Sequence, residues 1–248
     1  FAAPTNPWRT GAGGVSWGMP QRPSARTQTS FLFDLDGTLV DSVYDHVMAW
    51  HHALRDKSID VSIWRIHRRI GMSGDLFTAA LSRELGHEID ETLRKELSDL
   101  HAHHYNTRRT GTIALPGARE LLKHLTENEI PWGIATSGRM RTAGPVLEEL
   151  GVDPAKHVVI TRDLVRYAKP DPDLFIACAE KLGANISHAC VVGDAVWDML
   201  ASRRAGALGI GLLSGGYSTG ELERAGAYRV YEDPADLLRH IDEVGGRR

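Results

Sequence analysis

The stretch Phe31-Leu32-Phe33-Asp34-Leu35-Asp36-Gly37-Thr38-Leu39 decides the fold. Its apolar run, Phe31 to Leu35, is short, lacks helical period and ends in acidic residues and glycine, the pattern of a parallel strand buried on both faces. Five similar runs follow: Trp132 to Ala135, His157 to Ile160, Ala189 to Val192, Leu208 to Leu212 and Tyr228 to Tyr231. Helix-period segments separate or follow them, at Gly117 to Asn128, Arg139 to Leu150, Pro172 to Leu182, Val196 to Ala205 and Pro234 to Glu243. Strands and helices alternating in this way predict an α/β fold, a doubly wound parallel sheet with a Rossmann-like core.

One segment breaks the alternation. From Val43 to Arg109 the apolar residues follow helical period throughout, with Val47, Trp50 and Leu54 on one face, Leu76, Phe77, Ala80, Leu81 and Leu85 on a second, and Ile89, Leu93, Leu97 and Leu100 on a third. This predicts an inserted all-helical cap at 43–110, dividing a core formed by 30–42 and 111–248. Residues 1–29, rich in Pro, Gly, Ser and Thr and without apolar periodicity, read as a flexible tail or a leader segment.

The chain of 248 residues, 42% hydrophobic and 25% charged, has enough apolar material for a substantial core and is unlike a disordered chain. Its 29 Lys and Arg nearly balance 32 Asp and Glu, so bulk charge gives no reason to expect nucleic acid or an anionic membrane as partner. An anionic ligand must then be met locally. No apolar run reaches the length of a membrane span. Only Cys178 and Cys190 are present, both in apolar segments, which predicts reduced core thiols and a cytoplasmic location.

In open parallel sheets the ligand site lies beyond the carboxyl ends of the strands. There the sequence places Asp34, Asp36, Gly37 and Thr38 after the first run, Thr136, Ser137 and Gly138 after the second, Lys169-Pro170 after the third, and Gly193-Asp194 with Asp198 after the fourth. Carboxylates crowded in this way repel unless a cation intervenes, and hard oxygen donors select Mg²⁺. A carboxylate beside Mg²⁺ can attack phosphorus, which makes Asp34 the expected nucleophile. Asp36, where the chain leaves the strand, is the expected general acid and base. Thr136 and the amides around Gly37, Ser137 and Gly138 are expected to hold phosphoryl oxygens, with Lys169 neutralising charge. The expected metal residues are Asp34, Asp36, Asp194 and Asp198.

These residues resemble the four ordered motifs of the haloacid dehalogenase-like hydrolase superfamily, and the helical insertion resembles the cap of its phosphoglycolate phosphatase and beta-phosphoglucomutase branch. Asp-x-Asp-Gly-Thr arises by chance at about 10⁻⁵ per starting position. Halide-releasing members lack the second aspartate and phosphonate-cleaving members replace it with a small residue, so Asp36 argues against both. The resemblance implies a phosphatase acting on a small phosphorylated metabolite through an aspartyl-phosphate. It also implies that the Asp36 backbone carbonyl binds the metal and that Asp198 acts through hydrogen bonds or water. Within the cap, Arg69 to Gly74 resembles the loop that reaches the substrate, with a helix-helix turn as the plainer alternative.

His46 and Trp50 fall where beta-phosphoglucomutase has a hinge-side His and Trp, so His46 and Arg69 join the expected substrate contacts and a sugar-phosphate mutase is the competing activity. Gly74 stands where the mutase carries a phosphate-binding Arg, which ranks hydrolysis first. A non-catalytic binding protein on the same fold is the third reading, disfavoured because nucleophile and metal residues are all present. His101, His103 and His104 are expected to be exposed or helix-capping, and the glycines from Gly206 to Gly211 do not form a dinucleotide fingerprint. Oligomeric state and the particular substrate stay open at this point.

Overall fold

In the computed structural model, residues 28–86, 88–108 and 113–246 are described, so the expected tail lies, apart from Gln28 and Thr29, outside the described residues. Six parallel strands form the main sheet: β1 (Ser30–Phe33), β4 (Trp132–Ala135), β5 (Val158–Ile160), β6 (Ala189–Gly193), β7 (Leu208–Leu212) and β8 (Ala227–Tyr231), in the order β5-β4-β1-β6-β7-β8. The chain builds outward from β1 through β4 to β5 and then returns to the other side of β1 with β6. The topological switch point, where ligands bind in such sheets, therefore lies at the carboxyl end of β1.

Helices cover both faces, which is why β1 has no exposed residue. Phe31 and Phe33 point into a cluster with Leu121, Leu122 and Leu125 of α5 (Ala118–Glu127) and Val146 and Leu147 of α6 (Met140–Leu150). Leu32 points the other way, toward Leu174, Phe175 and Cys178 of α7 (Asp173–Leu182) and Ala201 of α8 (Val196–Ala205). Two shorter helices, α9 (Thr219–Ala225) and α10 (Pro234–Arg239), complete the core.

The helical insertion leaves and rejoins the sheet through a two-stranded antiparallel pair, β2 (Val40–Asp41) with β3 (Ile113–Ala114). Between them lie α1 (Val43–Asp56), α2 (Ile63–His67), α3 (Gly74–Leu85) and α4 (Glu91–Arg108). Val43, Val47, Trp50 and Leu54 of α1 pack with Ile66 of α2, Phe77 and Leu81 of α3 and Leu97 of α4, giving the cap its own core.

The structure differs from expectation at several boundaries. β1 stops at Phe33, because Leu35 caps a tight turn in which its carbonyl accepts from the Leu39 amide at 2.9 Å. The β2-β3 pair and the short α2 and α9 are too brief for periodicity to register. The last cap helix runs to Arg108, two turns beyond Leu100, the last apolar position that marked its face in the sequence.

Candidate active site

Asp34, Thr136 and Asp194 each sit just past the end of a strand, Lys169 lies in the loop between β5 and α7, and Asp198 lies in the first turn of α8. The Asp34 amide still bonds to the Val192 carbonyl of β6 at 2.9 Å, and the Thr136 amide to the Ile160 carbonyl of β5 at 3.0 Å, so both side chains are fixed by the sheet. Asp194 follows directly on β6. Gly37, at φ +81, turns the chain so tightly over this edge that a Cβ there would lie 2.5 Å from Asp194 Oδ2. Only glycine meets both demands.

Asp34, Asp194 and Asp198 are buried together, with one carboxylate oxygen of each within 4.8 Å of the others. Lys169, with no exposed surface, lies between two of them, its Nζ 2.5 Å from Asp34 Oδ1 and 2.8 Å from Asp198 Oδ1. Burial pushes the Asp34 carboxyl up to about 7 despite Lys169, with Asp198 and Asp36 adding to the rise. Burial likewise raises Asp194 well above the ordinary carboxylate range, helped by Asp198 and Asp34 and opposed by the Thr38 hydroxyl, which donates to Asp194 Oδ1 at 2.8 Å. Lys169 is held firmly charged: burial opposes its charge, but Asp198 and Asp34 outweigh it. Three carboxylates against one ammonium leave an excess of buried negative charge. A hard divalent cation would relieve it, so the donor set fits Mg²⁺. Asp198 Oδ2 also accepts from the Ala195 amide at 3.0 Å, which commits this residue to holding Lys169 and the β6-α8 turn.

The Asp36 carboxylate turns away from this cluster. Its Oδ1 accepts from Ser42 Oγ at 2.6 Å and lies 3.1 Å from His46 Nε2, while its Oδ2 faces the loop at Gly138. Burial works against its charged form, yet His46 and Ser42 outweigh that and hold the Asp36 carboxyl below its usual range. His46 is in turn held by the cap: its Nδ1 is 3.0 Å from His101 Nε2, and its ring stacks on Tyr105 at 4.0 Å. His101 also stacks on Trp50 at 4.4 Å, and burial lowers its pKa well below that of a free imidazole. The expectation that His101 is exposed or helix-capping is thereby corrected. Because α4 continues to Arg108, His101 is mid-helix, on one face with Leu97 and Tyr105 at four-residue spacing, and that spacing was the signal to read.

On the opposite wall the Gly138 amide donates to Thr136 Oγ1 at 2.9 Å, and Ser137 Oγ reaches across to the Gly71 carbonyl of the cap loop at 2.9 Å. Gly71 to Gly74 thus does line the cleft between cap and core, along with Trp50 and His101. Arg69 lines it too, but its guanidinium is engaged by Glu84 and by the Arg65 carbonyl at 2.7 Å. Arg162 of the core, which the sequence did not single out, contacts Asp75 of the cap at 2.9 Å. Ser214, another residue missed, donates to the Gly37 carbonyl at 2.6 Å and pins the turn above the carboxylates.

A buried acidic cluster with a lysine at the switch point of a parallel sheet, beneath a helical insertion, is what fold and geometry define. The family model for haloacid dehalogenase-like hydrolases matches residues 29–206, and the chain belongs to that family and is an enzyme of it. It is 35% identical over 178 residues to hexitol phosphatase A of Escherichia coli (strain K12), covering 71% of this chain and 79% of that one. To phosphoglycolate phosphatase of Pseudomonas syringae pv. syringae (strain B728a) it is 28% identical over 206 residues, covering 82% of this chain and 75% of the other. The crystal structure of a hydrolase from Pseudomonas syringae superposes with a TM-score of 0.86 at 56% identity, covering 88% of this chain and all of that one. Among the described residues no helix is long and apolar enough to cross a membrane.

Proposed function

We propose that this enzyme is a Mg²⁺-dependent phosphatase that hydrolyses a small phosphate monoester through an aspartyl-phosphate on Asp34. The observation that carries this reading is the buried Asp34 carboxylate, ion-paired to Lys169 beside Asp194, with the Asp36 carboxylate at the same strand end. The phosphatase names of the relatives support it.

A bound Mg²⁺ would be held by Asp34 and Asp194, with the Asp36 carbonyl contributing, and would supply charge neutralisation for the approaching phosphoryl group. One Asp34 oxygen attacks phosphorus as the ester P–O bond breaks, and the leaving oxygen takes a proton from Asp36. Asp36 then removes a proton from water, which attacks the phosphoryl phosphorus, releasing inorganic phosphate and restoring Asp34. Ser42 and His46 position the Asp36 carboxyl and favour its charged form, which suits the removal of a proton from water, whereas to protonate the leaving oxygen Asp36 must first take up a proton from solvent. Thr136, the Gly138 region and Lys169 receive the phosphoryl oxygens. Asp198 acts through Lys169. Gly74 packs against Trp50, where a Cβ would lie 3.2 Å from Cζ2, so the cap loop brings no cation there for the second phosphate that a mutase must grip.

The division into a core of 30–42 and 111–248 and a cap of 43–110 belongs to this proposal, as does a cytoplasmic location, which the two free, buried cysteines support. The test is Asp34→Asn assayed for phosphate release in Mg²⁺. Turnover is expected to vanish with the circular dichroism spectrum unchanged, and normal turnover by a folded variant would overturn the mechanism.

A further inference from the structure

The cleft contains several arginines, yet each is already matched by a carboxylate. Arg69 pairs with Glu84, Arg139 with Asp163 at 2.8 Å, Arg141 with Asp99 at 2.5 Å and Arg162 with Asp75 at 2.9 Å. Lys169 is taken by Asp34 and Asp198. A substrate bearing a carboxylate beyond its phosphate would have to compete with one of these acids for its counter-charge and would meet the competing acid itself, a repulsive contact.

Two of these pairs, Arg141-Asp99 and Arg162-Asp75, join the core to the cap, and Arg162-Asp75 is the less exposed of the two, with Asp75 at the start of α3 and Arg162 just after β5. Arg162 is fixed from behind by a 2.7 Å bond from Nη1 to the Val165 carbonyl. Its side chain is mostly buried, while Asp75 keeps about two fifths of its surface exposed. A neutral pair that presents guanidinium donors next to carboxylate acceptors complements a hydroxyl, which both donates and accepts. The remaining wall is also largely polar, with Ser98, Ser137 and Thr136 among its residues, while the Trp50 ring is nearly buried, tilted onto Phe77 and stacked on His101, each at 4.4 Å.

From this we infer that Asp75 and Arg162 determine specificity and that the leaving group is a neutral polyhydroxylated alcohol, a sugar or alditol, in preference to a carboxylate such as glycolate. The inference rests on the phosphatase reading and names the substrate class of that site. Its test compares kcat/KM for sorbitol phosphate and phosphoglycolate, with p-nitrophenyl phosphate as a substrate indifferent to the choice. Sorbitol phosphate is expected to win by at least about tenfold. Asp75→Asn, which frees the Arg162 charge, is expected to move that ratio at least about tenfold toward phosphoglycolate. Hydrolysis of p-nitrophenyl phosphate with phosphoglycolate equal or preferred in the unaltered enzyme overturns this inference and spares the phosphatase reading. A folded Asp75→Asn enzyme with an unchanged ratio also overturns it. No turnover of any of the three esters overturns both. Should Asp75→Asn fail to fold, the ratio in the unaltered enzyme decides alone.

Discussion

Lys169→Met tests the charge economy of the site most directly, because methionine nearly matches the aliphatic stem of lysine and lacks its ammonium. That ammonium lies 2.5 Å from Asp34 and 2.8 Å from Asp198 with no exposed surface. At an effective dielectric of about 20 each contact is a gross attraction of about 6 to 7 kcal/mol. Most of it offsets the desolvation of the charges, and losing one partner of such a buried group costs about 3 to 5 kcal/mol. The loss should depend on pH. Asp34 sits at about 7 in the folded chain against 3.8 when exposed, so between those values the folded state holds a proton that the unfolded state has released. Stability from this group is therefore present at low pH and declines as pH rises toward 7. Lys169 is the main influence restraining that rise, and without it the Asp34 carboxyl moves higher still, adding about 1.4 kcal/mol of deficit at alkaline pH per unit moved. Urea unfolding without metal, at about pH 5 and pH 8, should show the variant's deficit growing with pH, and Mg²⁺ at pH 8 should restore part of it. A deficit identical at the two pH values, or none at pH 8, would refute the electrostatic account and leave Lys169 a packing residue.

Two further outcomes are expected. Gly215→Ala places a Cβ 1.9 Å from Asp194 Oδ2, so that carboxylate must move, at a cost of about 1 to 3 kcal/mol. Mg²⁺ titration monitored by tryptophan fluorescence should show weaker binding than in the unaltered chain, and equal affinity would mean that Asp194 does not hold the metal. Burial pushes both Cys178 and Cys190 thiols up to about 12, so neither is expected to react with a thiol-specific disulfide reagent at neutral pH until denaturant is added. Rapid labelling of the native protein would contradict their placement in the core.

What could be read from the chain and what could not divide along a physical line. Asp34, Thr136 and Asp194 were legible because each follows a buried apolar strand, and the carboxyl ends of parallel strands converge by construction. The cap was legible as helices because Val47, Trp50 and Leu54 repeat at helical period. The partners of the catalytic groups were not, since they depend on how helices cross. His101 meets His46 only because α1 and α4 pack along their lengths, and Arg162 meets Asp75 across 87 positions of sequence. Arg69 shows the reverse case: its place in the chain suggested a substrate contact, but Glu84, in the last turn of α3, holds its guanidinium.

The same distinction explains why Asp36 differs from Asp34, although two residues separate them and both follow β1. Asp34 remains within the sheet, where burial and neighbouring carboxylates raise its pKa and Lys169 is its main counterweight. Asp36 has passed the turn and comes under α1, where Ser42 and His46 favour its charged form. In this arrangement the difference runs against the two roles, since a proton donor needs the higher affinity and a nucleophile the lower, so Asp36 can give a proton only once the hold of Ser42 and His46 on its charged form is loosened. The separation is imposed largely by the cap, since His46 belongs to α1 and His101 to α4. The helical insertion therefore does more than cover the cleft: it supplies the hydrogen bonds that set the state of Asp36, and a movement of the cap that separates His46 from Asp36 would let that carboxyl rise toward the value its burial favours.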